Sequence, residues 1–191
     1  MNRDRQGAGC ALKTRLLTRA VHRGFIISHM NYFITFRTYG TWLHGDARGS
    51  VDREHNQYGE PLREPSVPLE QAMRRAMKND PCILNEAQRQ CVEQAIRGVA
   101  GYRGWVVHAL NVRSNHVHVV VTVDDVVQPE KVMNDFKVWA TRRLREQQLV
   151  PNDAKIWERH GSTRHLRREQ EFYNACHYVL HCQDEPHEDN E

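Results

Sequence analysis

Ser114-Asn115-His116-Val117-His118-Val119-Val120-Val121-Thr122-Val123 is the stretch on which the fold reading turns. β-branched residues dominate it, and strict alternation sends Val117, Val119 and Val121 to one face of a strand. His116 and His118 share the other face with Val120 and Thr122. Two residues of strand rise set their Cα atoms roughly 6–7 Å apart. Both imidazoles can then converge on one divalent cation through one ring nitrogen each. Two half-exposed histidines with no ligand would show the same pattern. The spacing alone leaves both readings open.

A chain of 191 residues suits one domain with an insertion and is long enough for a real core. The formal net charge is only +3, but it is unevenly placed. Between Lys131 and Arg168 ten Lys or Arg stand against four Asp or Glu, with His160 and His165 added. Such an excess suits a polyanion-binding face, and equally a solvated helix surface. The five cysteines are odd in number and scattered, with no CxxC pair. That argues against a zinc module or a disulfide framework and fits a reducing cytoplasm. No apolar run reaches membrane-spanning length, so no membrane partner is expected. No Gly-rich phosphate loop or Cys/His nucleophile pair is present, which argues against nucleotide-driven and protease chemistry.

Upstream of the histidine stretch, residues 1–29 are rich in Arg and Lys with Asp4 as the lone acid. They read as a disordered basic arm, or as an extension before a start at Met30, since the apolar part is too short for a signal peptide. Asn31 to Thr38 reads as a strong strand. Residues 39–84 read as a long loop insertion punctuated by Gly and Pro, with a short helix over 69–77 and Thr41-Trp42-Leu43-His44-Gly45-Asp46 as its most distinctive piece. A connection this long suits a task such as covering a ligand. Asn85 with Gln88 reads as a capping box, opening a helix that Gly101 ends. Gly104–Val112 reads as a strand turning back into the histidine strand.

Downstream, Pro129 opens a helix whose Val132, Met133, Phe136, Ala140 and Leu144 form a buried stripe. Lys137, Arg142, Arg143 and Arg145 are expected off that stripe. Residues 155–166 suggest a short strand or hairpin, Glu169 to about Gln183 a last helix, and residues 186–191 a disordered acidic tail. The order strand, helix, strand, strand, helix, strand, helix predicts an α+β, ferredoxin-like split βαβ sandwich. Its antiparallel sheet carries two helices on one face, and the extra C-terminal helix can lie across the histidine face. On that helix Phe172, Ala175, Cys176 and Val179 cluster, with Tyr173 the closer aromatic to pack beside them. Tyr178 stands about 100° or more away at ~100° per residue, so its hydroxyl is expected to be open. A phenol attacks phosphorus poorly unless a nearby cation polarises the phosphate.

Together His116-Val117-His118, the helix bearing Val132-Met133-Asn134-Asp135-Phe136-Lys137, and Tyr178 resemble the HUH single-tyrosine transposases. Asn31-Tyr32, Phe36 through Leu43 and Tyr178-Val179-Leu180 resemble the REP-associated tyrosine transposase-like branch. The likeness spans about residues 30–183, within an expected domain of 30–185. It implies that His116 and His118 bind Mg²⁺ or Mn²⁺ and that Tyr178 attacks single-stranded DNA, leaving a 5′-phosphotyrosine and a free 3′-hydroxyl. It also implies DNA hairpins as targets, a possible homodimer, and phosphate contacts from Lys137, Arg142, Arg143 and Arg164. By the same resemblance Gln183 matches the third metal ligand. Five residues of regular helix, however, turn Gln183 about 140° from Tyr178, whereas His181 lies within about 60°. A His181 ligand would favour softer metals such as Zn²⁺. Two other readings stand beside this one: a non-catalytic single-stranded nucleic-acid binder, and a metal-dependent nuclease whose nucleophile is water.

Overall fold

The computed structural model describes residues 21–22, 25–26, 28–49 and 63–182. Two short strands, β1 (Val21–His22) and β2 (Phe25–Ile26), pair with each other. Apart from these strands, Ser28 and His29, the expected arm falls outside the described residues, as do the acidic tail and Gln183. The main sheet begins one residue before Met30. It consists of β3 (His29–Thr38), β4 (Val106–Val112), β5 (His116–Asp124) and β6 (Trp157–His165). The helices are α1 (Val67–Arg75), α2 (Glu86–Arg103), α3 (Pro129–Glu146) and α4 (Glu169–His181). Sheet order is β4-β5-β3-β6 with every neighbour antiparallel. The expected split βαβ topology is therefore observed. Among the described residues no helix is long and apolar enough to cross a membrane.

Alternation on β5 divides the protein into two cores. Val117, Val119, Val121 and Val123 face α2 and α3 and join Ile34, Phe36, Ile96 and Phe136 in the larger one. Val120 faces the other way, into a small cluster with Ala109, Leu166, Ala175 and Val179, over which α4 lies. α2 starts at the expected box: the Asn85 side chain accepts from the Gln88 amide, and the Gln88 side chain accepts from the Asn85 amide, both at 2.9 Å. It does not end at Gly101. The left-handed capping position falls on Gly104 (φ 73°), a conformation glycine adopts without a Cβ penalty.

Of the short strand or hairpin expected over residues 155–166, the structure forms one continuous strand with a bulge. Between the pairs Phe36↔Gly161 and Thr38↔Trp157, β6 carries more residues than β3 opposes, so carbonyls are left without ladder partners. Lys137 satisfies them, its Nζ donating to the carbonyls of Glu158, Arg159 and His160 at 3.0, 3.4 and 3.1 Å. This corrects the expectation of a phosphate contact, because the side chain is only 7 % exposed. The reason is helical spacing: Lys137 lies four residues after Met133 and seven before Leu144, inside the buried stripe. Lys137→Met is accordingly expected to cost ~1–3 kcal/mol by orphaning those carbonyls. Urea unfolding measures the loss, and an unchanged salt dependence of single-stranded DNA binding separates it from a phosphate contact.

Candidate functional site

The face of the sheet under α4 gathers the polar residues. Pairing of β3 with β5 sets Thr35 opposite His118 and Arg37 opposite His116, and pairing of β4 sets Asn111 opposite His118 as well. Register thus brings Phe33, Thr35 and Arg37 to the histidine face, while Ile34 and Phe36 go to the larger core. The His116 and His118 ring centroids lie 4.6 Å apart. Each ring is anchored through Nδ1. The Asn115 side-chain oxygen stands 2.6 Å from that of His116, and the Thr35 hydroxyl 2.8 Å from that of His118. An Nδ1–H given to such an oxygen places the lone pair on Nε2, the tautomer that ligates metals.

α4 closes this face. Asn111 donates from Nδ2 to the Val179 carbonyl at 3.1 Å, and Val179 and Ala175 are buried below the helix. With that stripe seated, Tyr178 turns its ring edge onto His118 at 5.7 Å and Phe33 at 6.1 Å. It remains 43 % exposed. Tyr173, the expected packed aromatic, is nearly as open at 42 % and leans on Phe172. His181 turns its ring to His177, 5.0 Å away. Among the described residues no three His, Cys, Asp or Glu side chains gather as a metal set.

Under the helix His118 is only 8 % exposed. Burial, and then the neighbouring His116 and Arg37, push its pKa down to about 3. Its ring is therefore neutral at physiological pH, as a metal ligand must be. An unfolded histidine titrates near 6.5. Below that pH the unfolded chain takes up a proton that folded His118 refuses, so stability is full above 6.5 and falls progressively toward pH 3. Urea unfolding between pH 4 and 7 is expected to show this decline, and His118→Gln to flatten it.

Arg37 belongs to the stretch that carries the resemblance but is assigned no role there, and the sheet sets it opposite His116. Its guanidinium carbon sits 3.1 Å from the centroid of the Trp42 ring. Arg48 approaches the same ring at 5.3 Å and holds Asp46 by two side-chain bonds at 2.8 and 2.7 Å. The Trp42 segment thus packs against Arg37 on the edge of this face, a contact its sequence does not disclose. The signal that could have found Arg37 is alternation along β3, where Phe33, Thr35 and Arg37 form the second stripe. Among the other expected DNA contacts, Arg164 lies opposite Phe33 in the sheet and shares the histidine face. Arg142 and Arg143 do not. They project from α3, on the far side of the sheet, and both reach Glu146, at 2.7 and 3.3 Å.

Residues 75–185 match a protein-family model described as "Transposase IS200 like". Two solved structures resemble the chain over 84 % of its length. One is the REP-associated tyrosine transposase bound to a REP hairpin, 14 % identical, TM-score 0.47, with 70 % of that chain covered. The other is a transposase candidate from Deinococcus radiodurans, 13 % identical, TM-score 0.47, with 95 % of that chain covered. The search of curated proteins finds no match.

Proposed function

Since the chain belongs to the IS200-like transposase family, we propose that it nicks and rejoins single-stranded DNA through a phosphotyrosine on Tyr178. The observation that carries this reading is the edge-to-face run of three rings on one sheet face: the Tyr178 centroid lies 5.7 Å from that of His118, which lies 4.6 Å from that of His116. In the proposed step the Tyr178 oxygen forms a bond to phosphorus while the bond from phosphorus to the 3′ oxygen breaks. The phenol's proton passes to the departing 3′-hydroxyl. Attack by another 3′-hydroxyl reverses the exchange and joins new strands, with the bond energy kept in the ester.

The two imidazoles, fixed by Asn115 and Thr35, are the proposed holders of a divalent ion, Mg²⁺ or Mn²⁺ by the sequence resemblance, with Gln183 the proposed third donor. When bound, such an ion supplies positive charge that polarises the phosphodiester. The chain's own residues orient the reactants: Asn111 ties α4 down, and Phe33 backs both the Tyr178 and His118 rings. Arg164 is the proposed backbone contact on this face, whereas Arg142 and Arg143 would meet DNA only if it wraps to the far side. Hairpin-bearing DNA is the proposed partner, on the sequence resemblance. One chain supplies both imidazoles and the phenol, so a homodimer is needed only if α4 is exchanged between copies.

The test is to incubate the protein with a pool of hairpin-bearing single-stranded DNA and Mn²⁺, then map any adduct that survives denaturation by mass spectrometry. A nucleotide on the Tyr178 peptide is the expected result. Cleavage without an adduct would favour the water-using nuclease. Salt-sensitive binding without cleavage would favour the non-catalytic binder.

A further inference from the structure

We infer that Arg37, braced on Trp42, grips the phosphodiester presented to Tyr178; this rests on the nicking activity proposed above. Pairing with β5 sets Arg37 opposite His116. That register puts the cation on the sheet face that carries both imidazoles, and its charge helps hold His118 in the neutral form. Burial, with Arg48 nearby, draws its pKa down to about 10, which still leaves a full positive charge at neutral pH. Among the described residues no carboxylate pairs with it. Asp46 acts on it through space, but the Asp46 oxygens are bonded to Arg48.

A half-buried guanidinium next to a neutral imidazole, with no anion of its own, is costly unless something negative completes the site. The geometry suits a phosphate. The guanidinium sits over the Trp42 ring, which restricts its position, and its N–H fork can take two non-bridging oxygens. Trp42 is in turn held by the bond from Nε1 to the Gly49 carbonyl at 2.5 Å. Thr41 fastens the same segment, its hydroxyl donating to the Thr38 carbonyl at 2.9 Å and the Asn115 carbonyl at 3.3 Å. The segment that places Arg37 is therefore tied to the residue that orients His116. In the nicking step the arginine neither gives nor takes a proton. It offsets the charge that grows on the phosphoryl oxygens as the Tyr178 oxygen enters and the 3′ oxygen leaves.

The test uses the full chain and the oligonucleotide recovered from its own Tyr178 adduct. Arg37→Ala is expected to slow adduct formation by roughly 100-fold, Arg37→Lys to restore only part of that, and Trp42→Ala to fall between. A methylphosphonate at the scissile position removes the charge the fork is aimed at. It should slow the wild type, yet slow Arg37→Ala little further, because both changes delete one interaction. Independent, multiplying losses would overturn the inference while leaving the nicking activity in place. So would an Arg37→Ala rate equal to wild type. A wild type that forms no adduct at all would overturn both. Where Arg37→Ala does not fold, Arg37→Gln takes its place in the same cycle.

Discussion

Tyr178→Phe is expected to abolish the covalent protein–DNA adduct, a fall on the order of 10⁴-fold or more, while stability changes by no more than ~0.5 kcal/mol. The two effects separate because the ring and the hydroxyl do different jobs. The ring edge rests on His118 and Phe33, and phenylalanine keeps that contact. The oxygen projects from a helix position that is nearly half open, so its loss leaves little buried polar surface unsatisfied. Gel analysis of the adduct and urea unfolding of the same preparation measure both quantities. Cleavage that persists in Tyr178→Phe and disappears in His116→Ala would transfer the nucleophile's role to water. An adduct that persists would place the covalent bond on another residue and sink the assignment of Tyr178.

How far the site could be read from the residues depends on how local its causes are. The split of Val117, Val119 and Val121 from His116 and His118 needs only strand alternation, and the two cores follow that division. The apolar stripe of α4 is equally local, and it placed Ala175 and Val179 correctly. Alternation groups Arg37 and Thr35 on the second stripe of β3, but it does not name their partners, which lie some eighty positions away along the chain. Only the register of β3 on β5 sets them against the histidines. Lys137 differs for another reason: its place on the helical wheel falls inside the buried stripe, and a long side chain can bury its stem when the ammonium finds acceptors. The bulge that supplies those acceptors arises from a non-local mismatch between β3 and β6. Arg142 and Arg143 show the same limit, since a basic run does not say which side of a sheet it will occupy.

The second large effect is expected from Val179→Asp: release of α4 from the sheet, with adduct formation falling at least ~100-fold while the four-stranded domain stays folded. Val179 is fully buried in the small cluster made with Ala109, Val120, Leu166 and Ala175. That cluster is separate from the larger core beneath α2 and α3. Removing the valine forfeits roughly 1.5–3 kcal/mol of burial, and an unpaired carboxylate there costs several kcal/mol more. The helix has 13 residues, too few to persist alone in water, so the cheapest response is local undocking rather than global unfolding. Hydrogen exchange should then show α4 amides unprotected and those of β3 and β5 still slow. Leu180→Asp adds the same charge one residue later, at a position 49 % exposed, and should leave both protection and adduct intact. Should Val179→Asp keep α4 protected and the adduct rate unchanged, the small cluster would not be what carries the tyrosine to the histidines. Global unfolding in its place would mean that the two cores act as one.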